Sequence, residues 1–203
     1  MLIRQNFKKI AVIGFGGFAK EITYNLPKEL YDFHIHQKLI LPHQLVKPIE
    51  SINFYHQQIL LAIGDPLVRK SIVTSFPSYT QYYTYIDPHS KILDTKNISI
   101  GNGSVICAGS ILTSNIQLGP FSQINLNSTI GHDCVIGDFF TTAPGVHVSG
   151  NCNIGNYNYF GTNSSIKQGL TTVDNVTIGM GSIVLNNIQE SGVYAKNPLV
   201  KIK

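Results

Sequence analysis

From Ile100 onward an aliphatic residue returns at every sixth position without insertion or deletion, and a period that strict leaves very few folds open. Positions 100, 106, 112, 118, 124, 130, 136, 142, 148, 154, 160, 166, 172, 178 and 184 read Ile, Ile, Leu, Leu, Ile, Ile, Ile, Thr, Val, Ile, Phe, Ile, Thr, Ile and Val, so thirteen of fifteen are large and apolar. The next residue is often Gly, and the fourth residue after is commonly small, as at Ser104, Ser110, Ser122, Ser128, Cys134, Cys152, Ser164 and Ser182. Three residues after the aliphatic one, twelve of the fifteen hexads carry Gly, Asn or Asp, with Asn187 the last of them. Those residue types tolerate a positive φ, so each hexad predicts a short strand ended by a left-handed corner. Three such strands make a triangular coil of eighteen residues with aliphatic and small side chains inward, and about five coils follow from the length of the repeat. The three corners that break the rule, Phe121, Phe139 and Tyr157, are eighteen apart, which predicts that they stack along one edge. Cys134 and Cys152 share that spacing and are expected to face inward as packing residues.

The first ninety residues lack this period and alternate strand, turn and helix. Residues 8–13 read as a buried strand, Gly14, Gly16 and Gly17 as a turn, and 18–26 as an amphipathic helix stopped by Pro27. The pattern returns with a strand at 59–63, a turn at Gly64, a cap at Asp65, Pro66 at the first helical position, and a helix over 67–76. A third strand is predicted at 82–86, before Asp87 and Pro88. Such alternation argues for a small parallel α/β domain over 1–90, followed by the β-helix and a C-terminal tail over 91–203. In parallel sheets, ligands sit beyond the carboxyl ends of the strands, and Gly14 and Gly64 mark two such ends. The run G-F-G-G-F-A is close to a dinucleotide fingerprint, a weak signal by itself because a tight packing turn uses the same residues. So short a domain fits a nucleotide-sugar pocket better than a full dinucleotide.

Composition narrows the class further. The net charge is +4 with no Lys/Arg block, which argues against nucleic acid as a partner. The longest apolar runs, such as 59–63, are too short to span a bilayer, and no signal peptide is evident, so a cytoplasmic location is expected. The three cysteines, Cys107, Cys134 and Cys152, have no CxxC spacing, and no metal is expected.

Of the seven histidines, His34, His36, His43, His56 and His89 fall in loops or strand ends of a polar segment, where solvated surface is the default. His147 lies on an outward face and is given no role. His132 differs: it sits at a corner after Ile130 and Gly131, pointing outward from a rigid coil, with Gly150 stacked one coil on. The acidic neighbour Asp133 can fix the tautomer of a neutral imidazole that accepts a proton, which are the makings of a general base.

Residues 125–145 read N-L-N-S-T-I-G-H-D-C-V-I-G-D-F-F-T-T-A-P-G, followed by V-H-V-S-G-N and, near the end, I-G-M-G-S-I-V and A-K-N-P. With G-F-G-G-F-A-K-E and A-I-G-D-P-L-V-R-K in the first domain, nearly the whole chain resembles the bacterial sugar acyltransferases. That family includes sialic acid O-acetyltransferases and N-acetyltransferases of 4-amino-4,6-dideoxy nucleotide sugars. The resemblance implies a left-handed β-helix, acetyl-CoA as co-substrate, and a homotrimer with cofactor and active site between adjacent prisms. It implies that His132 is the general base, Asp133 its polarising neighbour, and Asn125 close to the reacting centre. Gly14, Gly16, Gly17, Phe18 and Gly64 are then the nucleotide-sugar contacts, and Thr141, Gly150, Thr162 and Met180 the coenzyme-side positions. Two places depart from the family pattern: Thr141 stands where some members have a second histidine, and Lys196 replaces the usual small residue before N-P. The expected reaction is N-acetylation of the 4-amino group by direct attack, with Cys134 pointing inward and unsuited to act as a nucleophile. O-acetylation of a sugar hydroxyl and a non-catalytic nucleotide-sugar-binding module remain the alternatives, and the residues leave the nucleotide (UDP, GDP or dTDP) open.

Overall fold

The computed structural model describes residues 9–36 and 46–195. His43 and Lys196 lie outside the described residues. The chain divides into two compact units, 1–85 and 86–203, five residues earlier than the sequence pattern places the junction.

The first unit is a four-stranded parallel sheet of β1 (Lys9–Ile13), β2 (Tyr31–Ile35), β3 (Lys47–Pro48) and β4 (Gln57–Leu61), in the order β3-β2-β1-β4. β1 is central and apolar on both faces, with Ala11 and Val12 fully buried, and so are Ile59, Leu60 and Leu61 of β4. Helix α1 (Gly17–Thr23) starts one residue before the expected span and ends three short of it. Leu26 N bonds back to Thr23 O in a tightened last turn. Helix α2 (Pro66–Ser75) begins where Asp65 and Pro66 predict; the Asp65 carboxylate accepts from Leu67 N and Val68 N, both at 2.9 Å.

Two expectations change here. β2 has no aliphatic run to announce it, yet it pairs with β1 from Ile10↔Tyr31 to Ile13↔His34, which buries His34 to 1% exposure. Its Nδ1 lies 3.2 Å from Pro48 O, and burial pulls the imidazole pKa down, so this histidine is a core residue and not solvated surface. The strand expected at 82–86 is not continuous. Tyr82 makes a single bridge to Ile59, and Tyr85–Ile86 is a separate two-residue strand.

The second unit is the left-handed parallel β-helix. Its three faces carry seven, six and five strands, each of two or three residues, and between the first and last coils each strand pairs with one eighteen residues on, as in Gln117↔Val135, Thr129↔His147 and Thr141↔Tyr159. The aliphatic positions from Ile106 to Val184 all point inward and are at most 9% exposed. Thr142 and Thr172, the two that break the apolar rule, spend their hydroxyls internally: Thr142 Oγ1 donates to Ser128 Oγ at 3.1 Å, and Thr172 Oγ1 accepts from Asn158 Nδ2 at 2.6 Å.

Every sixth residue from Gly103 to Gly181 has φ between +50° and +78°, Phe121, Phe139 and Tyr157 included. A side chain there costs roughly 1–2 kcal/mol. The three rings stack as predicted, with centroids 4.9 and 5.5 Å apart, and each such pair returns about 0.5–1.5 kcal/mol. The rule stops before Asn187, which is not left-handed; its carboxamide oxygen instead accepts from Thr171 N at 2.9 Å.

The prism is longer than the strict register shows. Ile92 pairs with Leu112, twenty residues on, whereas Ile100 pairs with Leu118 at the regular eighteen. Two extra residues between Ile92 and Ile100 thus hide a first coil from the period. At the far end Ile178 pairs with Tyr194, only sixteen on, so the last coil is shortened by the same amount.

Candidate active site

Strand Thr129–Ile130 ends at Gly131 and turns through His132 and Asp133. Asp133 has φ +58°, and the coils on either side clamp the corner: Asp133 N donates to Ser114 O at 3.0 Å, and Asn151 N to His132 O at 2.6 Å. The His132 side chain is 52% exposed and the Asp133 side chain 50%. His132 Nδ1 lies 2.7 Å from Asp133 Oδ2, while the other carboxylate oxygen accepts from Asn115 Nδ2 at 2.6 Å. The Asn115 amide, first, and the His132 bond hold the Asp133 carboxyl below its usual range. A carboxylate can only accept, so the proton between the two residues sits on Nδ1, and in a neutral ring Nε2 is then the acceptor. A Cβ at position 150 would stand 2.5 Å from that Nε2, so the imidazole occupies the space that only glycine leaves.

His89 and Asp87 form a second histidine–aspartate pair at 3.1 Å, but the same Asp87 oxygen also caps His89 N at 2.8 Å, so this is a turn motif. His147 Nδ1 lies 2.9 Å from Thr129 Oγ1 on an exposed strand. Cys134 is fully buried, its Sγ donating to Ser149 O at 3.2 Å; the hydrogen bond with Cys152, and then burial, push its thiol pKa up. That is the opposite of what a nucleophile needs.

The remaining candidates lie elsewhere on the prism. Asn125 is at the corner before strand Thr129–Ile130 and His132 at the corner after it, so one chain does not bring them together. Asn125 binds locally, its Oδ1 accepting from Leu126 N at 2.7 Å and its N donating to Thr142 Oγ1 at 2.8 Å. Thr162 and Met180 stack one coil apart on the Asn125 edge, joined by Gly181 N to Thr162 O at 2.8 Å, and Met180 is 74% exposed. Thr141 is 3% exposed and offers almost no surface to a ligand. Gly150 is covered by the His132 ring.

In the α/β unit, β1 pairs with β2 on one side and β4 on the other, so the sheet's switch point lies between Gly14 and Gly64. Gly14 has φ +118°, and a Cβ there would come within 2.8 Å of Ala62 O, so glycine is required on both counts. Gly16 and Gly17 are exposed with open space beside them, and Phe18 is half-buried. Beside Gly64 the first amides of α2 are already taken by Asp65, which makes that helix start an acidic surface. Arg69, which no sequence pattern singles out, is fully buried and donates to Ile63 O and Gly64 O at 2.7 and 3.1 Å. Burial pulls its pKa down to about 9, against the pull of Asp65. Asn115 stands eighteen residues before Asp133, a spacing that puts the two on one edge but does not show that the amide reaches the carboxylate.

No protein-family model matches the chain. WeeI from Acinetobacter baumannii AYE is 32% identical, and the match covers 94% of this chain and 97% of that one with a TM-score of 0.82. The acetyltransferase domain of PglB from Neisseria gonorrhoeae FA1090, solved with acetyl coenzyme A, is 25% identical with a TM-score of 0.82 over 94% of this chain and 97% of that one. GDP-perosamine N-acetyltransferase of Escherichia coli O157:H7 is 32% identical over 111 residues, 54% of this chain. The chain belongs to the hexapeptide-repeat sugar acetyltransferases. Within that family the matched stretch spans about half (49%) of the Escherichia coli enzyme. Among the described residues no group of three or more His, Cys, Asp or Glu is placed to hold a metal ion, and no helix is long and apolar enough to cross a membrane.

Proposed function

We propose that the protein is an acetyl-CoA-dependent N-acetyltransferase acting on the 4-amino group of a nucleotide-linked 4-amino-4,6-dideoxy sugar. The observation that carries this reading is the His132–Asp133 pair: a half-exposed imidazole on a rigid corner with its Nδ1 2.7 Å from a carboxylate oxygen, which leaves Nε2 of the neutral ring to accept. The similarity to a GDP-perosamine N-acetyltransferase and to an acetyl-CoA-binding domain supports the choice of donor and acceptor class. The sugar nitrogen attacks the thioester carbonyl carbon of acetyl-CoA, His132 Nε2 takes the proton the nitrogen must lose, and the C–S bond breaks to release CoA. Asp133 stabilises the imidazolium that forms. Backbone N–H groups of the coil are the oxyanion donors in this scheme.

The nucleotide end is assigned to the Gly14–Phe18 turn of the α/β unit, with Gly64 and the Arg69-held loop on its other side. Coenzyme contact is assigned to the Thr162–Met180 edge. That edge and Asn125 lie one corner of the prism away from His132, so in this reading the His132 edge of one copy meets the Thr162–Met180 edge of another, in a homotrimer with sites between prisms.

Thiol release from acetyl-CoA with a panel of UDP-, GDP- and dTDP-linked 4-amino-4,6-dideoxy sugars tests the reading. His132→Ala is expected to lower turnover by about 10²–10⁴ while acetyl-CoA binding stays unchanged. A mutant that turns over like the native enzyme removes His132 from the mechanism, and release only with hydroxy sugars moves the acceptor from nitrogen to oxygen.

A further inference from the structure

The bland explanation of Asn115 is that a left-handed corner prefers asparagine: its φ is +50°, and Asn is among the few side chains at home there. Its amide does something more. Asn115 stands one coil before Asp133 on the same edge, and its Nδ2 reaches Asp133 Oδ1 at 2.6 Å while Asp133 Oδ2 faces His132 Nδ1 at 2.7 Å. The carboxylate can swing away from the imidazole about χ1 and χ2, and Asn115 restrains both rotations by binding the second oxygen. Both side chains of the pair are about half exposed, so water competes for the carboxylate, and a fixed donor is what keeps one oxygen pointed at His132. Clashes from above are absent because position 150 is glycine.

We infer that Asn115 is a positioning residue for acetyl transfer: by fixing the Asp133 carboxylate it holds the neutral His132 ring in the Nδ1–H tautomer, which leaves Nε2 unprotonated. The inference rests on the proposed role of His132 as base, but its first consequence, the tautomer, is read without any reaction. A histidine in water prefers the other neutral tautomer, with the proton on Nε2, in which the nitrogen that should accept a proton already carries one.

Two variants separate the amide from the corner. Asn115→Gly keeps the left-handed backbone and removes the donor; Asn115→Asp keeps the size and replaces the donor by an acceptor facing Asp133. The ¹⁵N resonances of neutral His132 in the full chain are expected to report Nδ1–H in the native protein and a shift toward Nε2–H in both variants, more in Asn115→Asp. With an accepted amino sugar, turnover is expected to fall about tenfold in Asn115→Gly, part of the roughly 10²–10⁴ a positioned base supplies, with the KM for acetyl-CoA within about twofold. An unchanged tautomer in both variants, or native turnover in Asn115→Gly, overturns the inference and leaves Asn115 a corner residue. If the tautomer shifts but His132→Ala remains active, the positioning stands and the assignment of His132 as base falls.

Discussion

In the prism every sixth residue from Ile106 to Val184 faces one shared interior, whereas the α/β unit uses each of its elements once. A repeated rule tolerates exceptions, because each coil is held by hydrogen bonds to the coils before and after it. Thr142 and Thr172 replace aliphatic residues and are absorbed by internal hydroxyl bonds; Phe121, Phe139 and Tyr157 replace corner residues and are absorbed by stacking. The α/β unit has no such averaging. β2 carries few aliphatics and is a strand because β1 needs a parallel partner, and the Gly64 loop keeps its shape through one buried guanidinium. The difference suits the two assignments: a stiff frame that holds a histidine to a fixed geometry, and a glycine-lined end that receives a ligand.

That contrast can be broken from either side. The largest structural effect is expected at Phe160, fully buried and edge-on to Phe140 at 5.2 Å. Phe160→Ala is expected to cost about 3–5 kcal/mol in urea unfolding, and a loss under about 1 kcal/mol would mean that the coil interior collapses around cavities far more readily than a close-packed core does. A smaller effect separates ring from corner at Phe139. Phe139→Ala loses the stack and keeps a strained Cβ at φ +57°, whereas Phe139→Gly loses both, so Ala is expected to be the less stable by about 1 kcal/mol. Equal stabilities would show that the corner is not strained and that the ladder offsets nothing. In the other unit Asp65→Ala removes the α2 cap at a cost of about 1 kcal/mol. If it also tightens binding of a nucleotide sugar, the acidic helix start opposes the ligand's phosphates; weaker binding would make Asp65 a contact.

The period of six, the aromatic ladder and the inward cysteines are legible in the sequence because each depends on spacing, and the left-handed corners because Gly, Asn and Asp recur at that spacing. The histidine and its acidic neighbour were legible for the same reason, since adjacent residues at a corner stay adjacent in space. What spacing could not show was whatever depended on irregular pairing. The first coil was hidden by two residues inserted between Ile92 and Ile100, and Asn187 ended the corner rule because the last coil is two residues short. His34 became a core residue only because β2 docks on β1, and Arg69 became a clamp only because its side chain is buried where it reaches the Ile63 and Gly64 carbonyls. Sequence by itself fixed which residues face inward along a regular coil, since strand alternation and a fixed period decide that locally. Tertiary structure alone decided how the carboxylate of Asp133 is shared between His132 and Asn115, because a hydrogen bond between coils needs two corners brought to one edge at a distance only the fold sets.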